Sequence, residues 1–130
     1  MSACVLDTDV LIGALERRDA HHRRAASLLR SLIANDARLL LSAINYAEAL
    51  VKPAQDVRTL RFAVDAIRSL GVHVHEPDAA IGEDAARLRR LNISLADGFA
   101  LATARRVDAS LATFDTRVRA AARTSRIPLV

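Results

Sequence analysis

Five of the chain's fifteen acidic residues lie inside or against apolar segments. Asp7 and Asp9 interrupt VLDTDVLI, Glu48 sits in INYAEALV, Asp97 in ISLADGFALATA, and Asp115 closes SLATFD. Taking a lone carboxylate out of water costs several kcal/mol unless a counter-charge meets it. None of these segments carries an obvious Lys or Arg partner. A fold built from them must therefore gather the acids and neutralise them together. A hard divalent cation does this most simply, because it takes oxygen ligands, so the pattern predicts a carboxylate-built metal site.

The length of 130 residues predicts one domain, 1–130, with a core of its own. Aromatic residues make up only 3% of a chain that is 52% hydrophobic, so Ala, Val, Leu and Ile must fill that core. No apolar run reaches the length of a membrane span, and Asp7 and Asp9 break any signal-peptide pattern. The lone Cys4 rules out an intramolecular disulfide and reads as core packing in a reducing, cytoplasmic setting. The net charge is +4, and Lys52 is the only lysine. A basic chain with a focused acidic cluster suits an anionic substrate such as nucleic acid. An excess of Arg and Ala with scarce Lys is equally what the base composition of the source genome could leave.

Residues 3–6 read as a short buried strand running into Asp7, and 10–15 as the start of a helix. Asp19 is a candidate cap for a helix through HHRRAASLLRSLIA, with Ala26, Leu29 and Ile33 on its inner face. Leu39–Leu41 reads as a second strand. Ser42 then N-caps a helix holding Glu48, which Pro53 ends. Asp56 to Leu70 is amphipathic, with Val57, Leu60, Val64 and Ile67 at helical spacing and Gly71 as its C-cap. Val72–Glu76 alternates as a strand, and 78–91 is a helix with Ile81, Ala85, Leu88 and Leu91 inward. Ser94 caps a helix from Leu95 to about Arg106. Ala109–Thr113 is a strand, Thr116–Thr124 a helix, and Ile127–Val130 a last strand.

Short apolar strands alternating with helices predict an α/β fold: a three-layer α/β/α domain around a mainly parallel sheet. In such sheets ligands bind at the carboxyl ends of the strands. Asp7 and Asp115 each follow a strand directly, Glu48 lies two turns into the next helix, and Asp97 is in a first turn. Four acids from four segments could thus converge on one edge.

Each acid also has an ordinary structural reading. Ser94-Leu-Ala-Asp97 fits a capping box, and an acid in a first turn suits the helix dipole. Asp115 fits a cap before Thr116, and Glu48 an exposed helical acid. Asp7 has no such excuse. Among the histidines, His21 and His22 beside Arg23 and Arg24 read as a solvated helix face. His73 and His75 share one side of a strand, but no third ligand stands at zinc spacing. Neither a glycine-rich phosphate loop nor a Ser-His-Asp signature is present.

Taken in order, VLDTDVLI, NYAEAL, SLADGFALATA and LATFD resemble the PIN-domain ribonucleases, and among them the VapC-type toxins of toxin–antitoxin pairs. The resemblance covers essentially the whole chain. It implies a parallel sheet flanked by helices, and places Asp7, Glu48, Asp97 and Asp115 on the family's four metal-site acids. Thr8 and Thr113 fall where the family often has a small hydroxyl. Asp9 departs from the family's usual Asn or Ser, which leaves open whether it ligates metal, holds a water or tunes charge. The implied activity is an endoribonuclease dependent on Mg²⁺ or Mn²⁺, in which the metal activates a water and clamps the phosphate. The implied partners are RNA, a cognate antitoxin and a second copy of the chain, the last through helices such as 78–91.

Two other readings remain. VLDTDVL followed by LLLS also fits a HAD-type phosphatase with Asp7 as nucleophile and Asp9 as acid/base, although Lys52 is poorly placed for the lysine it needs. A catalytically silent RNA- or protein-binding PIN-like domain would keep the fold without the chemistry.

Overall fold

The computed structural model describes residues 2–130. Four short strands, β1 (Ala3–Leu6), β2 (Arg38–Ser42), β3 (His73–His75) and β4 (Ser110–Ala112), alternate with seven helices. The helices are α1 (Thr8–Leu15), α2 (His22–Ala34), α3 (Ala43–Leu50), α4 (Val57–Ser69), α5 (Ala79–Leu88), α6 (Leu95–Arg106) and α7 (Thr116–Thr124). The strands pair in the order β3-β2-β1-β4, every pair parallel. The chain leaves β1 toward β2 on one side and returns to β4 on the other, so a topological switch point lies between β1 and β4.

Strand side chains alternate between two cores, as a doubly covered sheet requires. Val5 and Leu40 pack with Ala85, Leu88, Leu101 and Val118 of α5, α6 and α7. Cys4, Leu6, Leu39 and Leu41 pack on the opposite face with Leu11, Leu29 and Ile67 of α1, α2 and α4. The result is helix, sheet, helix. Burial pushes the Cys4 thiol up to about 11, as expected of a packing residue.

Several sequence expectations shift on the structure. Helix α1 begins at Thr8, two residues early, because Asp7 ends the strand and caps the helix at once. Asp19 accepts the amide of His21 at 2.8 Å, yet α2 starts after His21, so Asp19 shapes the turn before the helix. The inner face of α2 is Ala25 and Leu29, while Ile33 is 49% exposed. Val57 is 82% exposed, and Ala63 joins Ile67 as the buried pair of α4. His22 is half-buried, with Nδ1 2.8 Å from the Gly13 carbonyl, so it pins α2 to α1 instead of facing solvent. Residues 127–130 make a single bridge, Leu111 to Leu129, because Pro128 lacks the amide a longer ladder needs. Gly71 stands at φ +75°, the left-handed turn expected after α4. No helix among the described residues is long and apolar enough to cross a membrane.

Candidate active site

The amide of Asp7 donates to the Ala112 carbonyl at 2.9 Å, which fixes this residue at the carboxyl edge of β1 beside β4. Its side chain then turns to cap α1, Oδ1 accepting the Thr8 amide at 2.9 Å. Oδ2 accepts the Thr113 hydroxyl at 2.7 Å. Asp7 is only 2% exposed. Burial raises its carboxyl to about 7; the Thr113 hydroxyl pulls the other way, Asp9 and Asp97 push further up, and the Thr8 amide opposes them.

Asp9 sits in the first turn of α1, with Oδ2 accepting the Phe114 amide at 3.0 Å. Its Oδ1 is enclosed without a hydrogen-bond partner. Burial raises this carboxyl too, against the Phe114 and Val10 amides, and the Asp115 charge adds to the rise. Asp9 is thus a member of the acidic cluster, held by the same segment that holds Asp7.

Asp97 is half-buried in the first turn of α6, and both halves of the predicted capping box form. Ser94 Oγ accepts the Asp97 amide at 3.1 Å, and Asp97 Oδ2 accepts the Ser94 amide at 3.0 Å. The cap occupies one oxygen and leaves Oδ1 without a donor among the described residues, so the structural and functional readings of Asp97 coexist. Gly98 explains its placement. A Cβ there would lie 2.8 Å from the Ala85 carbonyl oxygen, so only glycine lets α6 approach α5 this closely.

Asp115 is exposed and caps α7, Oδ1 accepting the Arg117 and Val118 amides at 2.8 and 3.3 Å. Its own amide donates to Thr113 Oγ1 at 3.2 Å. One hydroxyl therefore links Asp7 to Asp115. On the other side the Thr8 hydroxyl links Glu48 to Asn45: its Oγ1 donates to Glu48 Oε1 at 2.5 Å and accepts from Asn45 Nδ2 at 3.0 Å.

Asn45 is a site residue that the sequence reading misses. It is fully buried, its Nδ2 also donates to the Ala96 carbonyl at 3.2 Å, and its Oδ1 lacks a partner. It ties the Thr8 hydroxyl, which Glu48 accepts, to the start of α6 that carries Asp97. A signal for it exists: an amide inside the apolar segment INYAEALV poses the same burial problem as the acids.

The expectation that all five acids leave water is corrected. Asp7 is buried, Asp9 and Asp97 are half-buried, and Glu48 and Asp115 are exposed at the rim. Exposed helix positions solvate the rim acids without any counter-ion. Among the described residues no three His, Cys, Asp or Glu side chains stand close enough to form a ready-made ligand group. The donor chemistry nevertheless fits a hard cation: the acids offer only oxygen, Asp9 Oδ1 is orphaned, and burial, with neighbouring carboxylates adding to it, raises the proton affinity of Asp7 and Asp9. His73 is exposed and His75 is half-buried with an enclosed, unpartnered Nδ1. Lys52 is exposed and forms no ion pair among the described residues.

A family model of the PIN domain matches residues 4–124. The chain belongs to the PIN-domain family. Among solved structures, FitAcB from Neisseria gonorrhoeae is 26% identical, with a TM-score of 0.70 over 97% of this chain and 95% of that one. FitAB bound to an IR36 DNA fragment is 27% identical, with a TM-score of 0.73 over 98% and 93%. VapC20 from Mycobacterium tuberculosis, a toxin that cleaves the sarcin-ricin loop, shares the PIN fold at 20% identity and a TM-score of 0.72, over 91% and 94%. No curated protein matches the chain.

Proposed function

We propose that residues 1–130 form a single cytoplasmic nuclease domain, a metal-dependent endoribonuclease that serves as the toxin of a type II toxin–antitoxin pair. The observation that carries the reading is Asp7: a buried carboxylate at the switch point, facing Asp9 and Asp97 with no basic partner, as a cation site requires. Membership of the PIN family supports the nuclease class. The likeness to the two Fit structures, and to a toxin–antitoxin complex from Klebsiella pneumoniae, supports an antitoxin partner.

Asp7 and Asp97 would be the principal ligands, with Asp115 contributing directly or through water. A bound Mg²⁺ or Mn²⁺ would neutralise phosphate charge and lower the pKa of a ligated water. Glu48, hydrogen-bonded to Thr8 at the rim, orients the attacking water and can take its proton. Thr113 and Thr8 hold the acids against one another's repulsion. Attack by water needs no 2′-hydroxyl, so the products are a 5′-phosphate and a 3′-hydroxyl, and RNA preference comes from binding. Restraint falls to an antitoxin, one of whose Arg or Lys side chains would enter the acidic site, a guanidinium bridging two carboxylates. A homodimer is part of the proposal.

The test is expression of the chain alone, followed by sequencing of 5′-phosphate RNA ends. Growth arrest with discrete new ends is expected, and Asp7→Asn should relieve both. Harmless accumulation with intact RNA would overturn the toxin reading.

A further inference from the structure

A cavity of about 290 Å³ is lined in part by Thr113 and Phe114, the residues that hydrogen-bond Asp7 and Asp9. Arg24, Ser27 and Leu28 of α2 form one wall, and Thr113, Phe114 and Arg119 the other. The volume is at the small end of ligand pockets, right for one phosphate-and-sugar unit and too small for a cofactor. The Arg24 guanidinium carbon lies 4.5 Å from the centre of the Phe114 ring, which fixes its plane while leaving its edges free to donate. The His21 ring packs on the same phenyl at 5.0 Å between centroids, tilted by 32°. Arg119 spends one donor, Nη1, on the Thr113 carbonyl at 3.1 Å and keeps the rest of its fork. Neither arginine has an acidic ion-pair partner among the described residues.

Two guanidiniums, oriented and without counter-ions, face one small cavity. That cavity shares a wall with the acidic cluster: Thr113 donates to Asp7, and the Phe114 amide donates to Asp9. An anion in the pocket is thus one residue away from the acids. A phosphodiester chain that lays one phosphate against the acids must place its next phosphate nearby, and single strands are gripped by arginines and aromatic platforms. We propose that the Arg24–Phe114–Arg119 pocket is a substrate subsite, binding the phosphate next to the scissile one in single-stranded RNA. This rests on the nuclease reading and adds which residues hold the flanking nucleotide.

The test uses the full chain with Asp7→Asn, in EDTA, and a fluorescent 10-mer of single-stranded RNA. Arg24→Gln with Arg119→Gln should weaken binding at least tenfold and make the log–log salt slope shallower by about 0.7, the value for one single-strand phosphate contact. Arg89→Gln with Arg90→Gln, an equal charge loss outside the pocket, should weaken it less than threefold. Arg24→Gln alone leaves the Thr113 contact in place and should account for several-fold of the loss, so a folding defect at Arg119 cannot imitate the result. In the Asp7-intact protein the pocket pair should raise KM more than it lowers kcat. Equal losses for the two pairs, or a loss confined to kcat, would overturn the subsite and leave the nuclease reading standing. Failure of every form to bind or cut RNA would overturn both. Retained RNA binding with loss of antitoxin binding would assign the pocket to a protein carboxylate and overturn the proposal.

Discussion

Thr113 donates its hydroxyl to Asp7 Oδ2 at 2.7 Å, joining residues 106 positions apart. Thr113 Oγ1 also accepts the Asp115 amide, so a single side chain aligns the acid after β1 with the acid after β4. Thr113→Val keeps the shape and removes the bond. It should cost about 1–2 kcal/mol of stability and push the Asp7 carboxyl further up, since this bond opposes the effect of burial. Activity should fall at least tenfold at pH 7 and recover partly at pH 9. An unchanged pH–rate profile would remove Thr113 from the site.

Asp7 also predicts how the metal-free chain responds to pH. Its carboxyl titrates at about 7 when folded, against 3.8 as the ordinary value. The folded state therefore holds this proton more tightly than the unfolded state does. Its stabilising contribution is complete below the unfolded pKa and is lost as pH rises through the folded one. In EDTA, Tm should fall between pH 5 and 8 more steeply for wild type than for Asp7→Asn, and at pH 8 the variant should melt several degrees higher. Mg²⁺ at pH 8 should raise Tm in wild type and much less in the variant. Parallel melting profiles for the two proteins would contradict this role of Asp7.

The parallel sheet and its two helical layers are legible in the sequence because the strands are short apolar runs and the helices carry an apolar stripe. The switch-point location of Asp7 and Asp115 is legible for the same reason, since the end of a parallel strand fixes where the next residue stands. Depth is less legible. Glu48 and Asp115 lie in apolar sequence yet reach solvent, because helix rotation and cap geometry decide exposure and neither shows in local composition. Ala25 against Ala26 on α2 is a one-residue rotation that Gly13 settles: a Cβ there would come within 3.0 Å of Ala25 Cβ. Asn45 and the Arg24–Phe114 stack join residues far apart in the chain, so no spacing announces them.

Gly98 should tolerate no side chain. Gly98→Ala places a methyl 2.8 Å from the Ala85 carbonyl oxygen, a backbone atom that can move only with α5. A loss of about 1–3 kcal/mol is expected from the forced separation, with lower metal affinity because Asp97 moves with α6. Chemical denaturation and metal titration of the same sample measure both. Wild-type stability would show that the two helices are held less tightly than their geometry requires.

Asn45 offers a complementary test, because it acts without reaching the reacting atoms. Asn45→Ala removes the donor to Thr8 and Ala96 and should cost about 1–3 kcal/mol. If its work is to set Glu48, cleavage should fall further than stability loss explains, and adding Glu48→Gln should then bring little more. Additive losses in that double-mutant cycle would separate Asn45 from Glu48.

For this chain to cut RNA, the acids around Asp7 must hold a divalent cation. The direct measurement is cleavage of total RNA by the purified chain and by Asp7→Asn, each in Mg²⁺, in Mn²⁺ and in EDTA after exhaustive dialysis. Fragments with 5′-phosphate ends are expected only for the wild-type chain and only with metal. Undiminished cleavage in EDTA, or cleavage by Asp7→Asn at the wild-type rate, would contradict the metal site and its role.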